Sequence, residues 1–123
     1  ETGITLEDTE EETRIRQTLR FDRAWASVVK GTEDADFVID DRDRSEGLLY
    51  VTFVGPQDEE DSGWFDWLWG GEDEHPLAGH QYQIHLDRAG EELTLITLRG
   101  PDGGAVDRRD QQALLTILRG NIT

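Results

Sequence analysis

The sequence predicts an α+β domain in which two helices accompany a mainly antiparallel five-stranded sheet, in the order β-α-β-β-β-β-α. Three observations carry this. Apolar residues recur at helical spacing in two places, Trp25, Val28 and Val29 and then Leu114, Ile117 and Leu118. Between and before them lie runs that alternate apolar and polar side chains, the period of a half-buried strand. Short polar turns, such as Asp40 to Gly47 and Arg88-Ala89-Gly90, join neighbouring runs and permit only antiparallel reversal.

The elements follow in order. Residues 1–12 carry Glu7, Asp8, Glu10, Glu11 and Glu12 with little apolar content, and read as an acidic flexible lead-in. Residues 13–123 read as one domain. From Thr13, Ile15 and Leu19 alternate with Arg14, Arg16 and Arg20 as the first strand. Asp22 is placed to cap a helix beginning at about residue 23, which either stops at Gly31 or passes through it to bury Ala35. Phe37-Val38-Ile39 supplies the second strand. Leu49, Val51 and Phe53 form the buried side of the third, which Gly55-Pro56 ends because proline cannot donate to the ladder. Tyr82, Ile84 and Leu86 mark the fourth strand and Leu93 to Leu98 the fifth. Asp107 and Asp110 then favour the positive end of a second helix, with Gly120 suited to close it.

Charge narrows the function. The chain has 28 acidic and 12 basic side chains in 123 residues, a formal net charge of −16. That repels phosphate backbones and anionic lipid, so nucleic acid is excluded as a partner class. The absence of cysteine removes disulfides and thiolate chemistry. No run approaches the length of a membrane-spanning helix. The chain opens Glu1-Thr2-Gly3, and we read it as part of a longer parent protein.

One segment stands out. Gly63-Trp64-Phe65-Asp66-Trp67-Leu68-Trp69-Gly70-Gly71 lies between the acidic runs Asp58 to Asp61 and Glu72 to Glu74, inside a loop insertion at about 56–78. Ser62 is placed to cap one helical turn, in which Trp64, Trp67 and Leu68 share one side and Phe65 and Trp69 the other. A turn apolar all round cannot satisfy both sides against one surface. Burying one tryptophan face contributes roughly 1.5–3 kcal/mol, enough for an anchor in a protein contact. Trp64, Phe65, Trp67, Leu68 and Trp69 are therefore the partner-binding candidates, with Arg42 and Arg44 a possible secondary contact.

Phe21-Asp22-Arg23-Ala24-Trp25, the run from Asp40-Asp41-Arg42-Asp43-Arg44-Ser45-Glu46-Gly47 through Leu48-Leu49-Tyr50-Val51, and Gly63-Trp64-Phe65 with Leu68 together resemble the BamC family. These proteins, also called NlpB/DapX lipoproteins, are accessory subunits of the outer-membrane β-barrel assembly machinery. The resemblance runs from about Thr13 to the C-terminus and is closest to the family's second domain. It implies a helix-grip fold, with both helices across one face of the sheet. It also implies a non-catalytic interaction or scaffold role beside other subunits of that machinery, and an outer-membrane location through a lipid-anchored parent, with the domain periplasmic or surface-exposed. Asp36 stands where the family commonly has glycine, so a left-handed Asp is expected there.

Other chemistries find little support. His75, His80 and His85 are spaced by five, but an odd separation on a strand sends His80 and His85 to opposite faces, so no metal site is expected. Asp40 to Asp43 lacks the ligand order of a calcium loop. There is no nucleophile elbow, phosphate loop or dinucleotide fingerprint, and we expect neither catalytic residues nor a cofactor. The alternative is a small hydrophobic-ligand binder with a cavity near Trp25, Leu49 and Leu114.

Overall fold

In the computed structural model, which describes residues 3–55 and 79–122, the elements are β1 (Ile4–Asp8), β2 (Thr13–Gln17), α1 (Phe21–Asp34), β3 (Phe37–Asp43), β4 (Leu48–Phe53), β5 (Gln81–Gly90), β6 (Leu93–Arg99) and α2 (Arg108–Asn121). The strands form one sheet in the order β1-β2-β6-β5-β4-β3, every neighbouring pair antiparallel. Its inner face presents Ile15, Ile96, Leu98, Ile84, Leu86, Leu49, Val51 and Phe53 to the two helices. Its outer face carries Arg16, Leu95, Thr97, His85 and Tyr50, and no helix among the described residues packs on it. The α+β class and the helices on one side agree with the sequence reading. Among the described residues there are six strands, one more than the expected five.

The additional strand, β1, lies within the segment read as an acidic, disordered lead-in. Ile4 and Leu6 face inward opposite Gln17 and Ile15, while Thr5 and Glu7 face outward opposite Arg16 and Arg14. Acidic composition hid this alternation, and Glu7 is matched by Arg14 at 2.8 Å. The Thr9 hydroxyl accepts from the amides of Glu11 and Glu12 and so closes the hairpin.

Asp8 joins three elements. Its carboxylate accepts from the Thr13 hydroxyl and from Gln112 Nε2 at 3.1 Å, with Arg108 at 3.7 Å. The Thr13 hydroxyl first, and the Gln112 amide next, hold this carboxyl below its ordinary value of 3.8. A depressed carboxylate stabilises the fold above the unfolded value, and that contribution is lost as pH falls through the folded value. Asp8→Asn is therefore expected to flatten the acid limb of the stability curve below pH 3.8, read as urea midpoints over a pH series. An acid limb as steep in the variant as in the parent would show that Asp8 is not coupled to folding.

Helix α1 begins at Phe21, with Arg20 in the N-cap position, and Asp22 sits inside the first turn instead of capping it. Phe21 is the reason. It is buried and lies 6.1 Å from the Trp25 ring, so the stripe Phe21, Ala24, Trp25, Val28 begins one turn earlier than Asp22 suggested. The helix runs through Gly31 because the end of α2 crosses there. A Cβ at Gly31 would lie 2.8 Å from Ile122 Cγ1 and 3.2 Å from the Asn121 carbonyl, so glycine permits a close helix crossing. Ala35 is buried as the longer option required, and Asp36 adopts φ +67°, the left-handed geometry expected of it.

Helix α2 starts after Asp107 as expected, although the Asp107 side chain makes no capping hydrogen bond. Gly120 does not end it. The helix continues one residue to Asn121, whose Nδ2 donates to the Ile117 carbonyl at 2.9 Å, and this brings Ile122 into the core against Gly31.

Candidate functional site

The aromatic side chains Trp64, Phe65, Trp67, Leu68 and Trp69 lie outside the described residues, as do Ser62 and His75. The root from which they depart is described, and it joins the end of β4, the start of β5 and the link after α1. The Phe53 amide donates to the His80 carbonyl at 3.0 Å, and the Gly79 amide donates to the Phe53 carbonyl at 2.6 Å, which extends the β4–β5 ladder to the first residue after the insertion. The Asp36 carbonyl accepts from the Val54 amide at 3.0 Å and the Gly55 amide at 3.3 Å. The left-handed turn at Asp36, between α1 and β3, aims that carbonyl at the end of β4, so the link that follows α1 also holds the departing chain. Gly55 and Gly79, on either side of the insertion, have φ of +74° and +84°. Below them the Phe53 ring is fully buried and meets Phe37 at 4.9 Å. The insertion thus leaves from a firm base at one rim of the sheet.

Arg42 and Arg44 are at the other rim. Six residues of β4 separate the two, a distance of about 20 Å at strand rise, so the structure does not bring the secondary candidates to the root of the aromatic segment. Arg42, near the end of β3, and Arg44, on the β3–β4 turn, are both exposed. The turn organises itself around Asp43, whose carboxylate accepts from Ser45 Oγ at 2.7 Å and from the Glu46 amide at 3.2 Å. Asp40 accepts from the Thr52 hydroxyl at 2.6 Å and Asp41 from the Arg42 amide at 2.9 Å. These acids are engaged locally, and no group of three metal-ligating side chains occurs among the described residues.

His80 precedes β5 and is exposed, while His85 lies on the outer sheet face opposite Thr97, so the two do not meet. His85 bonds Gln83 Oε1 at 3.0 Å, and burial first, then Arg99, lowers its pKa. His85 is consequently less basic than a free imidazole, and it is half-buried. Trp25, Leu49 and Leu114 belong to one packed cluster, with exposures of 7%, 0% and 0%.

Sequence reasoning overlooked two features. Arg88 lies over the Phe21 ring at 4.3 Å, covering the start of α1. Tyr82 and Asp110, assigned only to a strand face and a helix start, come together beside the insertion root. No local signal could have paired them, since one belongs to β5 and the other to α2.

Comparison with known proteins adds a family. A family model described as "Outer membrane protein assembly factor BamC-like C-terminal domain" matches residues 3–122. Among curated proteins, the chain is similar to "Outer membrane protein assembly factor BamC" of Thiobacillus denitrificans, 32% identical over 102 residues that cover 80% of this chain and 28% of the relative. The protein of the same name from Ferrimonas balearica is 34% identical over 99 residues, covering 78% and 26%. That of Pseudoalteromonas atlantica is 33% identical over 79 residues, covering 63% and 20%. The chain thus spans less than a third of the length of these relatives.

Proposed function

This chain belongs to the family of BamC-like C-terminal domains, and from that premise we propose that it is a protein-interaction domain of an outer-membrane protein assembly complex. The family match is the observation that carries the proposal, because it extends over nearly all described residues and its relatives are named as assembly factors. The domain serves as a non-catalytic scaffold. The sheet and helices hold a rigid frame, and the insertion rooted at Gly55 and Gly79 offers Trp64, Phe65, Trp67, Leu68 and Trp69 to another subunit of the assembly machinery. Exposed Arg42 and Arg44 would make a second contact only with a partner long enough to reach the far rim, where two guanidinium groups suit carboxylates.

No helix among the described residues is long and apolar enough to cross a membrane. In this proposal the parent protein is held at the outer membrane by a lipid anchor outside this chain. The acidic flanks of the aromatic segment favour a protein surface over anionic lipid for its tryptophans.

The test replaces Trp64, Trp67 and Trp69 together with Ser. Capture of the assembly complex from solubilised envelopes is expected to weaken at least about tenfold, the effect of losing a hot-spot aromatic. The melting temperature should change little. A variant that fails to fold would make the cluster part of the core, and unchanged capture by a folded variant would remove it from the contact. Cross-links from residues 62–71 in intact envelopes would identify the subunit.

A further inference from the structure

Beside the insertion root, Thr52, His80, Tyr82, Pro101, Asp107 and Asp110 line an open groove of about 560 Å³ between the end of the sheet and the start of α2. We propose that this groove binds the guanidinium or ammonium group of a basic side chain presented by a partner protein. The inference stands on the groove itself and needs neither the aromatic segment nor the family assignment.

Tyr82 is the first support. It is an inner-face residue opposite Val51, and only 7% of it is exposed. It lines the groove, and its hydroxyl is not among the enclosed orphan atoms of the described residues but stays open to a donor that replaces water there. Burial first, and Asp110 next, push this phenol up to about 12, so at neutral pH it is a neutral hydroxyl with acceptor lone pairs to offer.

The two carboxylates supply the sign of the ligand. Asp107 makes no capping bond, and burial together with Asp107 raises the pKa of Asp110. Arg109 and His80 offset this only in part. Asp110 enters no side-chain hydrogen bond or ion pair of the described residues. An anion would face both carboxylates and is excluded. A neutral ligand would leave their repulsion unrelieved, whereas a cation with N–H donors relieves it and satisfies the phenol oxygen as well.

The nature of the cation follows from the walls. A bare metal ion needs several converging ligands, and no three metal-ligating side chains cluster among the described residues. Pro101 and Val106 instead offer apolar surface, which suits the methylene stem of Arg or Lys. A net charge of −16 would also speed the approach of a basic partner.

The test is an amide NMR titration of the complete chain with N-acetyl-arginine amide and, separately, with the neutral N-acetyl-citrulline amide. The arginine probe is expected to shift the amides of Gly79 to Tyr82 and Ala105 to Asp110 saturably, and the citrulline probe to leave them in place. Asp110→Asn should weaken binding about five- to tenfold and Tyr82→Phe about threefold, as removal of one charged and one neutral hydrogen-bond partner. Both variants should keep the parent spectrum elsewhere, since neither deletes a described hydrogen bond. Equal shifts from citrulline, shifts shared with the acidic turn at Asp40 to Asp43, or undiminished binding by folded Asp110→Asn and Tyr82→Phe would each overturn the proposal.

Discussion

Gly47→Ala is expected to destabilise the fold by about 3–4 kcal/mol, a large part of what a domain of this size has. Two penalties combine. Gly47 has φ +69°, where a Cβ is unfavourable, and the added carbon would lie 2.3 Å from the Leu86 carbonyl oxygen. Retreat is blocked on both sides. The Leu86 amide donates to the Gly47 carbonyl at 2.8 Å, Leu86 is 2% exposed, and the Phe21 ring would lie 3.5 Å from the added carbon. The turn that carries Arg44 would separate from β5, and with it the end of the β4–β5 ladder. Gly79→Ala is the matched control. Its φ of +84° is also left-handed, but an added Cβ would meet no heavy atom within 4 Å, so its loss should be about 1 kcal/mol. Urea unfolding of the two variants distinguishes steric contact from backbone preference, and equal losses would show that the Leu86 carbonyl yields.

Phe53→Ala is expected to cost about 3–5 kcal/mol, the usual range for emptying a phenylalanine site in a packed core. Phe53 is fully buried, stands opposite Phe37 in the β3–β4 register, and packs its ring 4.9 Å from that partner at a tilt of 52°. Its backbone also takes part in both hydrogen bonds that hold β5 at the insertion root. Loss of the ring therefore loosens the core and the base of the candidate site together. Phe53→Leu preserves most of the volume and should lose no more than about 1.5 kcal/mol. The measurement is the denaturation midpoint at constant slope. A loss below about 1 kcal/mol for the alanine variant would mean that the neighbouring side chains collapse into the space and that the root does not depend on the ring.

Much of the fold was legible in the chain because the apolar periods are clean. Leu49, Val51 and Phe53 alternate, and all are buried. Trp25 and Val28, with Leu114, Ile117 and Leu118, mark helix faces that the structure buries as their spacing demands. Asp36 took the left-handed backbone anticipated for it. The candidate site was legible as composition alone: the aromatic cluster is evident in the sequence, but its base of Asp36, Phe53, Gly55 and Gly79 is made by hydrogen bonds between β4, β5 and the end of α1. Such bonds leave no local pattern.

By itself, then, the sequence determined the class of the fold, the element types and the inward faces, since side-chain period is a property of neighbours along the chain. Tertiary structure alone decided that Ile4–Asp8 is a strand, that α1 and α2 continue through Gly31 and Gly120, and that Tyr82 meets Asp110. Each depends on what lies opposite: an available edge on β2, the side chain of Ile122 seeking burial, the end of a sheet beneath the start of a helix. A glycine or an acidic residue sets a local cost of about 1 kcal/mol or less, and burial of a partner distant in sequence outweighs it.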